Sequence, residues 1–460
     1  MGKIGKTFVL SLILIMAVSS LGMQQKPVPL WTYSIQNNAA GYRSLSWSTP
    51  TIANGVVYSI MNGVEGEYSN YMPHFFSVYA FDANSGKILW YYNITYGNPV
   101  FSCAVAAGIV YAASYQNTLS AFKASNGQEL WNFTDGGGNP YALGPGISTS
   151  PTVANGMVYV GDGDGNIISL NATSGYKLWN YTVDYGYSIA STPTVANDIV
   201  YAGSYDNYLY ALNASTGNKI WSFSTGRPIS SPTVKGGIVY FGAYDGNVYA
   251  LNAADGTKIW NYSTGLVASS PVVSNNVVFA YTGRPNEYGD PNQIGQLYAL
   301  NATDGNKLWN STIDGYYNQQ NSPSFVDGVV YFGSVYGNLY AIHATNGDII
   351  WTYAPGISIF SSPLIANGNI YLGDYGTFYA LTSPSEYNAI KTRQTETVLA
   401  LIAVLAMVLL LAIVIAKKKN AYKKITGRLK KPNSTINAVR SILLVLLIFV
   451  AAPYDTYYSI

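Results

Sequence analysis

The stretch SPTVKGGIVYFGAYDGNVYALNAADGTKIW, residues 231–260, contains the pattern that decides the fold. It recurs as TPTVANDIVYAGSYDNYLYALNASTGNKIW ending at Trp221 and as SPTVANGMVYVGDGDGNIISLNATSGYKLW ending at Trp179. Further copies end at Trp90, Trp131, Trp309 and Trp351. The last copy stops at Leu381 without its tryptophan, and the N-terminal piece Leu30–Tyr33 supplies the missing end. The chain therefore contains eight copies of one unit.

Each copy has four short runs of alternating apolar residues, separated by Asn-Gly, Asp-Gly or Thr-Gly turns, which predicts a four-stranded antiparallel meander. One meander cannot bury its faces alone, whereas eight stacked radially share a core and leave only short edges. The sequence therefore predicts an all-β, eight-bladed β-propeller over residues 24–383, in which the N-terminal strand closes the last blade.

The composition limits the classes of partner. Charged residues make up 10% of the chain, against about 25% in ordinary soluble proteins, so few carboxylate pairs exist to be lost in acid and we expect an acid-tolerant exterior. Residues 24–396 contain 13 Lys and Arg against 21 Asp and Glu, whereas residues 417–440 contain nine basic residues and no acidic one. The repeats have no basic patch, and we expect no nucleic-acid partner.

The N-terminus has the layout of a secretory signal peptide. Lys3 and Lys6 precede an apolar run from Phe8 to Val18, and small residues follow it, so residues 1–23 are predicted to direct export. An uncleaved N-terminal anchor is the alternative, and it also places the repeats outside the cell.

The C-terminal part predicts membrane attachment. After a juxtamembrane linker at 384–396, residues 397–416 are predicted to form a transmembrane helix, because Val398–Ala416 is uninterrupted apolar sequence. The basic segment 417–440 then lies in the cytoplasm by the positive-inside rule and attracts anionic membrane lipid. Residues 441–458 form either a second span or an interfacial segment.

A hydroxyl-bearing residue and a proline open the first strand of almost every copy. The hydroxyl residues are Thr49, Ser102, Ser150, Thr192, Ser231, Ser270, Ser322 and Ser362. Proline is tolerated there because the innermost strand has an unpaired edge facing the central channel. We expect these hydroxyls to form a ring near one mouth of the channel, where they cap or solvate the strand ends.

The paired elements YALNA-x-x-G-x-x-x-W and SPTV-x-x-G-x-VY-x-G resemble the repeats of the pyrroloquinoline-quinone-like (PQQ-like) family, over about residues 30–381. In that family the terminal tryptophans dock each blade on its neighbour. The resemblance gives this role to Trp31, Trp90, Trp131, Trp179, Trp221, Trp260, Trp309 and Trp351. Only Trp47 is left over.

The same family contains quinone-dependent alcohol and sugar dehydrogenases and non-enzymatic scaffolds such as an outer-membrane assembly lipoprotein. Its alcohol dehydrogenases hold the quinone between a vicinal Cys-Cys disulfide and a tryptophan, and they bind calcium through Glu, Asn and Asp. This chain has one cysteine, Cys103, which we expect in the core, and no C-x-x-C-H haem motif. Sugar-oxidising relatives also lack the cysteine pair, so the enzyme class stays open, although the residues favour a non-catalytic protein without a cofactor.

Two blades carry insertions in the turn between the second and third strands, at Met61–Ser77 and Tyr281–Gln296. We expect a ligand-binding face built from their charged residues and histidine, which are Glu65, Glu67, His74, Arg284, Glu287 and Asp290. The long connection Asp135–Thr149 should lie on the same face. Surface insertions without a function are the alternative interpretation.

Two other motifs in this turn favour structural roles. Asp162, Asp164 and Asn166 resemble the start of a calcium loop, but Ile167 replaces its turn glycine and Thr173 its glutamate, so no metal site is expected. The recurring Asp206 and Asp245 are interpreted as turn formers. The recurring tyrosines could stack on a sugar or peptide, although packing is the simpler role; they are Tyr115, Tyr205 and Tyr244.

The exported part contains eight N-x-S/T sequons, which are possible glycosylation sites. They lie at Asn93, Asn132, Asn171, Asn180, Asn213, Asn261, Asn301 and Asn310. Several belong to the repeated LNAT turn. A ninth, Asn433, falls on the cytoplasmic side and should stay unmodified.

These features lead us to expect a membrane-anchored extracellular propeller that binds or scaffolds a protein or glycan at the cell surface. The alternatives are a PQQ-dependent dehydrogenase with calcium and a surface ligand sensor, and the basic tail contains no recognisable signalling domain.

Overall fold

The structure is a computed structural model. It describes residues 26–34, 42–65, 74–95, 102–114, 118–134, 146–225, 230–265, 267–283, 294–315, 321–356 and 358–382. Within them the chain forms eight antiparallel sheets, the blades of a β-propeller. The predicted fold and blade number are confirmed.

The first strand, β1 (Val28–Ser34), belongs to the last blade. Blade 1 contains β2 (Tyr42–Trp47), β3 (Thr51–Ala53), β4 (Val56–Glu65), β5 (His74–Asp82) and β6 (Ile88–Thr95). Blade 2 contains β7 (Ala104–Ala106), β8 (Ile109–Ser114), β9 (Thr118–Lys123) and β10 (Glu129–Thr134). Blade 3 contains β11 (Thr152–Ala154), β12 (Met157–Gly161), β13 (Asn166–Asn171) and β14 (Lys177–Thr182). A 3-10 turn at Asp184–Gly186 leads to blade 4.

Blade 4 contains β15 (Thr194–Ala196), β16 (Ile199–Gly203), β17 (Tyr208–Asn213) and β18 (Lys219–Ser224). Blade 5 contains β19 (Thr233–Lys235), β20 (Ile238–Gly242), β21 (Asn247–Asn252) and β22 (Lys258–Ser263). Blade 6 contains β23 (Val267–Ala268), β24 (Val272–Ser274), β25 (Val277–Gly283), β26 (Ile294–Asn301) and β27 (Lys307–Asp314). Blades 7 and 8 contain β28 (Ser324–Val326), β29 (Val329–Gly333), β30 (Leu339–His343) and β31 (Ile349–Tyr353), then β32 (Leu364–Ala366), β33 (Asn369–Gly373) and β34 (Thr377–Thr382).

The ring closes between the two ends of the propeller. Strand β1 pairs antiparallel with β34, with Trp31 opposite Ala380 and Ser34 opposite Thr377. Blade 8 is therefore completed by the N-terminal strand, as the split repeat predicted. Closure removes the open end that a linear array of blades would expose.

At most blade boundaries, a tryptophan and a tyrosine of one blade both donate to an alanine carbonyl of the next; in blade 6 the tyrosine is replaced by Phe279. In blade 4, Trp221 Nε1 and the Tyr201 hydroxyl both donate to Ala253 O of blade 5, at 3.0 and 2.9 Å. The predicted docking tryptophans make the same indole bond at 2.8–3.1 Å at the other described positions, which are Trp31, Trp90, Trp131, Trp179, Trp260 and Trp309. Trp351 is buried beside Tyr331, with ring centroids 6.0 Å apart.

The glycine of each L-N-A turn is required by this docking contact. Gly217 has a φ of +73°, and a Cβ there would lie 2.7 Å from Trp179 Cε3. The indole of one blade therefore packs on the bare backbone of the next, where any side chain would clash.

The S/T-P-T segments join the innermost strands. The amide of Thr192 donates to Ser231 Oγ of the next blade at 2.9 Å, and Thr194 Oγ1 donates to Pro232 O at 2.6 Å. At the closure, the Ser362 amide donates to Thr49 Oγ1 at 3.0 Å. The hydroxyl ring is thus a set of bonds between blades, a more specific role than capping strand ends.

Trp47, the tryptophan outside the repeat, fills the boundary between blades 8 and 1. Its ring lies 5.3 Å from both Tyr79 and Phe378, and a Cβ on Gly373 would meet it. At another boundary the equivalent glycine, Gly161, faces an isoleucine, Ile189. Trp47 therefore fills the space between blades that the smaller Ile189 fills at the other boundary.

Within the described residues no helix is long and apolar enough to cross a membrane. The predicted signal peptide 1–23, linker 384–396, spans 397–416 and 441–458 and basic segment 417–440 all lie outside those residues.

Candidate ligand-binding face

The two faces of the disc are built from different turns. The first is named the hairpin face; it holds the turns between strands one and two and those between strands three and four, which are joined by bonds such as Ala253 N to Gly237 O at 2.9 Å. The second is named the insertion face; it holds the turns between strands two and three and the connections between blades. There, Gly163 N donates to Gly146 O at 2.8 Å. The end of the long connection 135–149 therefore lies on the insertion face, as expected.

Both predicted insertions extend hairpins on this face. Strand β4 runs to Glu65 and β5 starts at His74, with Val64 opposite His74. These strands have 10 and 9 residues, against 5 and 6 for β20 and β21. The Glu65 and His74 side chains, and all of Glu67, Arg284, Glu287 and Asp290, lie outside the described residues.

Each extended hairpin recruits a fifth strand that sequence reasoning missed. Strand β2 pairs with the extension of β4, with Tyr42 opposite Glu65, and β23 pairs with β25, with Ala268 opposite Thr282. No repeat signal marks β2 or β23, because the pairing exists only where the hairpin is long enough to offer an edge. The insertions are therefore built into the sheets of blades 1 and 6.

Charge is separated between the two faces. Among the side chains that the structure describes, all lysines lie next to turns of the hairpin face: Lys26, Lys87, Lys123, Lys177, Lys219, Lys235, Lys258 and Lys307. Aspartates of the hairpin face, such as Asp82 and Asp255, offset much of their charge. The insertion face carries the side chains of Asp162, Asp164, Asp184, Asp206, Asp245, Asp314 and Asp374, and β2 places Arg43, opposite Val64, on this face as well. Among the described side chains, carboxylates therefore outnumber basic groups on the insertion face.

Several of these aspartates also form the turns. Asp206 Oδ1 accepts from the Tyr208 amide at 3.0 Å, and Oδ2 accepts from the Tyr210 hydroxyl at 2.6 Å. Burial, followed by this hydrogen bond, raises the pKa of Tyr210. Asp245 and Tyr249 repeat the pair at 2.7 Å. The interpretation of both aspartates as turn formers agrees with these contacts.

The calcium-like segment is likewise a turn. Asp162 is buried, and its two carboxylate oxygens accept from Asn166 N and Nδ2, both at 2.7 Å. These bonds use the carboxylate within the turn. The failed match to a calcium loop is thus explained by a different role for the same residues.

Exposed tyrosines lie between blades 3 and 4 on the insertion face. Tyr187, Tyr205 and Tyr208 are 51%, 42% and 39% exposed. Tyr205 N donates to Ser188 O at 2.9 Å, so the connection that carries Tyr187 lies against the turn that carries Tyr205. Tyr187 and Tyr208 were not singled out from the sequence, because Tyr187 lies in a connection outside the repeat. Tyr244 is partly buried, and Tyr115 lies outside the described residues.

The sequon asparagines fall into two structural groups. Five are exposed on the outermost strand of a blade: Asn93, Asn132, Asn180, Asn261 and Asn310. The other three, Asn171, Asn213 and Asn301, are half-buried and form L-N-A turns through their side-chain oxygens.

The comparisons with known proteins agree with this geometry. The family model described as outer membrane protein assembly factor BamB matches residues 74–187 and 182–386. The chain belongs to this PQQ-like propeller family. No curated protein matches the sequence.

Solved structures share the fold at low identity. BamB from Moraxella catarrhalis is 16% identical, with a TM-score of 0.57 over 78% of this chain and 98% of that chain. Quinohemoprotein alcohol dehydrogenase from Comamonas testosteroni is 15% identical, with a TM-score of 0.59 over 77% of this chain and 76% of that chain. The computationally designed Ika8 protein is 16% identical, with a TM-score of 0.58 over 76% and 98%. Similarity at this level establishes the fold alone.

The sequence of this PQQ-like propeller has no vicinal cysteine pair like that of the family's alcohol dehydrogenases, since Cys103 is its one cysteine. Cys103 is buried among Tyr58, Trp90 and Val110, and burial raises the pKa of its thiol to about 12. Seven docking indoles are bonded to alanine carbonyls between blades. In the described part, no three His, Cys, Asp or Glu side chains are grouped as metal ligands.

Proposed function

We propose that this PQQ-like propeller is a non-catalytic binding or scaffolding module, exported and held at the cell membrane, that engages a protein or glycan partner through its insertion face. The observation that carries the proposal is the polarity of the disc. One face combines both extended hairpins, the exposed Tyr187, Tyr205 and Tyr208 and an excess of described carboxylates, whereas the opposite face consists of repeat turns with the described lysines and the exposed Tyr176.

The chemistry of the insertion face supports a hydroxyl-rich or cationic ligand. Exposed tyrosine rings offer flat surfaces for sugar or side-chain stacking, and their hydroxyls offer hydrogen bonds. The exposed carboxylates of Asp164 and Asp184 lie in neighbouring turns of blades 3 and 4. A face with an excess of carboxylates attracts basic peptide segments and repels polyanions.

Replacing the insertions tests the proposal. In the full chain, residues 62–76 and 284–293 are each exchanged for the short turn of blade 5, residues 243–247, and surface partners are captured by cross-linking on intact cells. We expect the exchanges to abolish capture while thermal unfolding stays cooperative. The matched control exchanges the hairpin-face turn 254–257 for residues 303–306, and it should keep the partner.

Capture that survives both insertion exchanges would contradict the proposal, as would the absence of any specific partner of the unaltered chain. A quinone-dependent dehydrogenase is the alternative within the family.

A further inference from the structure

We infer that the five outer-strand asparagines, and not the three turn asparagines, are N-glycosylated, so that sugar chains surround the edge of the propeller. The members of the first set are Asn93, Asn132, Asn180, Asn261 and Asn310. The inference rests on the export that the proposed function requires. It adds the sites that are modified and the part of the molecule that the glycans cover.

The outer strands present both recognition groups of the sequon on one exposed side. In β10, Trp131 points toward the next blade, whereas Asn132 and Thr134 are exposed on the other side. Residues i and i+2 share a side in an extended strand, so the amide and the hydroxyl are offered together. The pairs Asn180 and Thr182, Asn261 and Ser263, and Asn310 and Thr312 repeat this exposure.

The hydrogen bonds of Asn132 and Asn310 do not protect them from modification, whereas Asn93 also accepts from the buried Ser77 hydroxyl at 2.7 Å. Asn132 Nδ2 donates to Glu129 Oε1 at 2.8 Å, and Asn310 Nδ2 donates to Gln296 Oε1 at 2.9 Å. Both bonds join exposed side chains that water can solvate equally well, so their loss costs little.

The turn asparagines are committed to the fold. Asn213 Oδ1 accepts from Ser215 N, Thr216 N and Thr216 Oγ1 at 3.0–3.1 Å. Asp82 occupies the same place in blade 1 and accepts from Ser85 N at 2.8 Å. The side-chain oxygen of each turn asparagine is thus used inside the turn, and its sequon is a by-product of the repeat, although Lys123 and His343 occupy the same place in blades 2 and 7.

The reaction needs a lipid-linked oligosaccharide donor and an oligosaccharyltransferase. The bond between the anomeric carbon of the first sugar and the lipid phosphate oxygen breaks, and the leaving phosphate keeps the bonding pair. The anomeric carbon bonds to Asn Nδ2, which loses one proton. No electrons are exchanged with a redox partner.

The position of the glycans gives them a role. The outermost strand of each blade has an unpaired edge, and such an edge can pair with a strand of another molecule. Sugar chains on the outer strands of blades 1, 2, 3, 5 and 6 obstruct edge pairing and leave both faces of the disc open for ligands.

Glycopeptide mass spectrometry of the full chain, exported through a glycosylating secretory pathway, tests the inference. We expect glycans on the five outer asparagines and none on Asn171, Asn213 or Asn301. The outer set changed to Gln should lose all glycan mass. The turn set changed to Asp, which retains the oxygen acceptor, should migrate like the unaltered chain after correction for charge.

Unmodified outer asparagines, or turn asparagines modified to the same extent, would overturn the inference. Surface biotinylation of the propeller and the state of Asn433 separate this failure from failure of the proposed location. A biotinylated chain without outer glycans rejects only the glycan inference, whereas absence of surface labelling or a glycan on Asn433 rejects the membrane topology.

Discussion

At the residue scale, blade docking depends on glycines as much as on tryptophans. The glycine after each L-N-A turn has a positive φ and lies under the indole of the preceding blade. The resemblance predicted the docking role of the tryptophans. The need for a bare backbone beneath them emerged only from the packing, because a turn signal alone would also explain glycine there.

Replacing Gly217 with alanine should therefore cost more than an ordinary left-handed turn substitution. Gly237 is the matched control, because its φ is +76° and a Cβ added there would have no atom within 4 Å. We expect G237A to lose about 1 kcal/mol from backbone strain and G217A about 2–4 kcal/mol, because the added methyl group also displaces Trp179. Denaturant unfolding of the two variants measures the difference, and equal losses would contradict the docking role.

The turn carboxylate of blade 1 gives a pH prediction. The hydroxyl and amide of Ser85, which donate to Asp82 Oδ1, hold the pKa of Asp82 below its usual value. Because the folded pKa is lowered, this stabilisation is complete above the unfolded pKa of about 3.9 and is lost as the pH falls through the folded pKa.

Substitution D82N should keep the turn, as asparagine does in blades 3–6, and should remove this part of the acid sensitivity. D82A should lose about 1 kcal/mol at neutral pH because the turn amides lose their acceptor. Thermal unfolding between pH 2 and 7 compares the three proteins. If the unfolding temperature of D82N falls with decreasing pH as much as that of the unaltered protein, the Asp82 carboxylate makes no contribution to the acid sensitivity of stability.

At the element scale, the outermost strands depart from the simple alternation read in the sequence. A β-bulge precedes each docking tryptophan, so that Leu178, for example, has no partner between Lys177 and Trp179. Seven of the eight bulged residues are exposed aliphatics: Leu30, Leu89, Leu130, Leu178, Ile220, Ile259 and Leu308. Sequence periodicity could not locate the bulge, because an extra residue leaves the apolar composition of the strand unchanged.

The innermost strands give the element-scale prediction. Thr194 Oγ1 donates to Pro232 O of the next blade at 2.6 Å, so T194V should lose about 1 kcal/mol. T194S keeps the hydroxyl and should retain the bond, which makes it the control. If differential scanning calorimetry finds T194V as stable as T194S, the contact between blades contributes no net stability.

At the scale of the whole molecule, the repeat predicted blade number, closure and docking, because each of these follows from one supersecondary unit copied eight times. The features outside the repeat could not be predicted from it. Strands β2 and β23 and the placement of Trp47 depend on the strand edges and the spaces between blades that the assembled propeller leaves. The candidate face could be located from the shared turn of the two insertions, and Tyr205 was named from the repeat, but Tyr187, Tyr208 and the distribution of charge required the assembled disc.

Because Trp31 lies on the strand that closes the ring, its loss should increase local opening mainly in blades 8 and 1. W31A removes the indole bond to Ala83 and the packing on Phe378, and W221A makes the same change inside the ring. We expect both to cost about 3–5 kcal/mol, but only W31A should raise amide hydrogen exchange in β34. Equal exchange there in both variants would argue against a closure that depends on β1.

The central claim, a binding propeller without quinone catalysis, is tested most directly by titrating the purified full chain with pyrroloquinoline quinone and calcium. Thermal unfolding and dye reduction with alcohols and sugars are followed together, with a chelator as control. We expect an unchanged unfolding temperature and no dye reduction. A saturable, calcium-dependent rise in unfolding temperature accompanied by turnover would contradict the claim and would identify a quinone dehydrogenase.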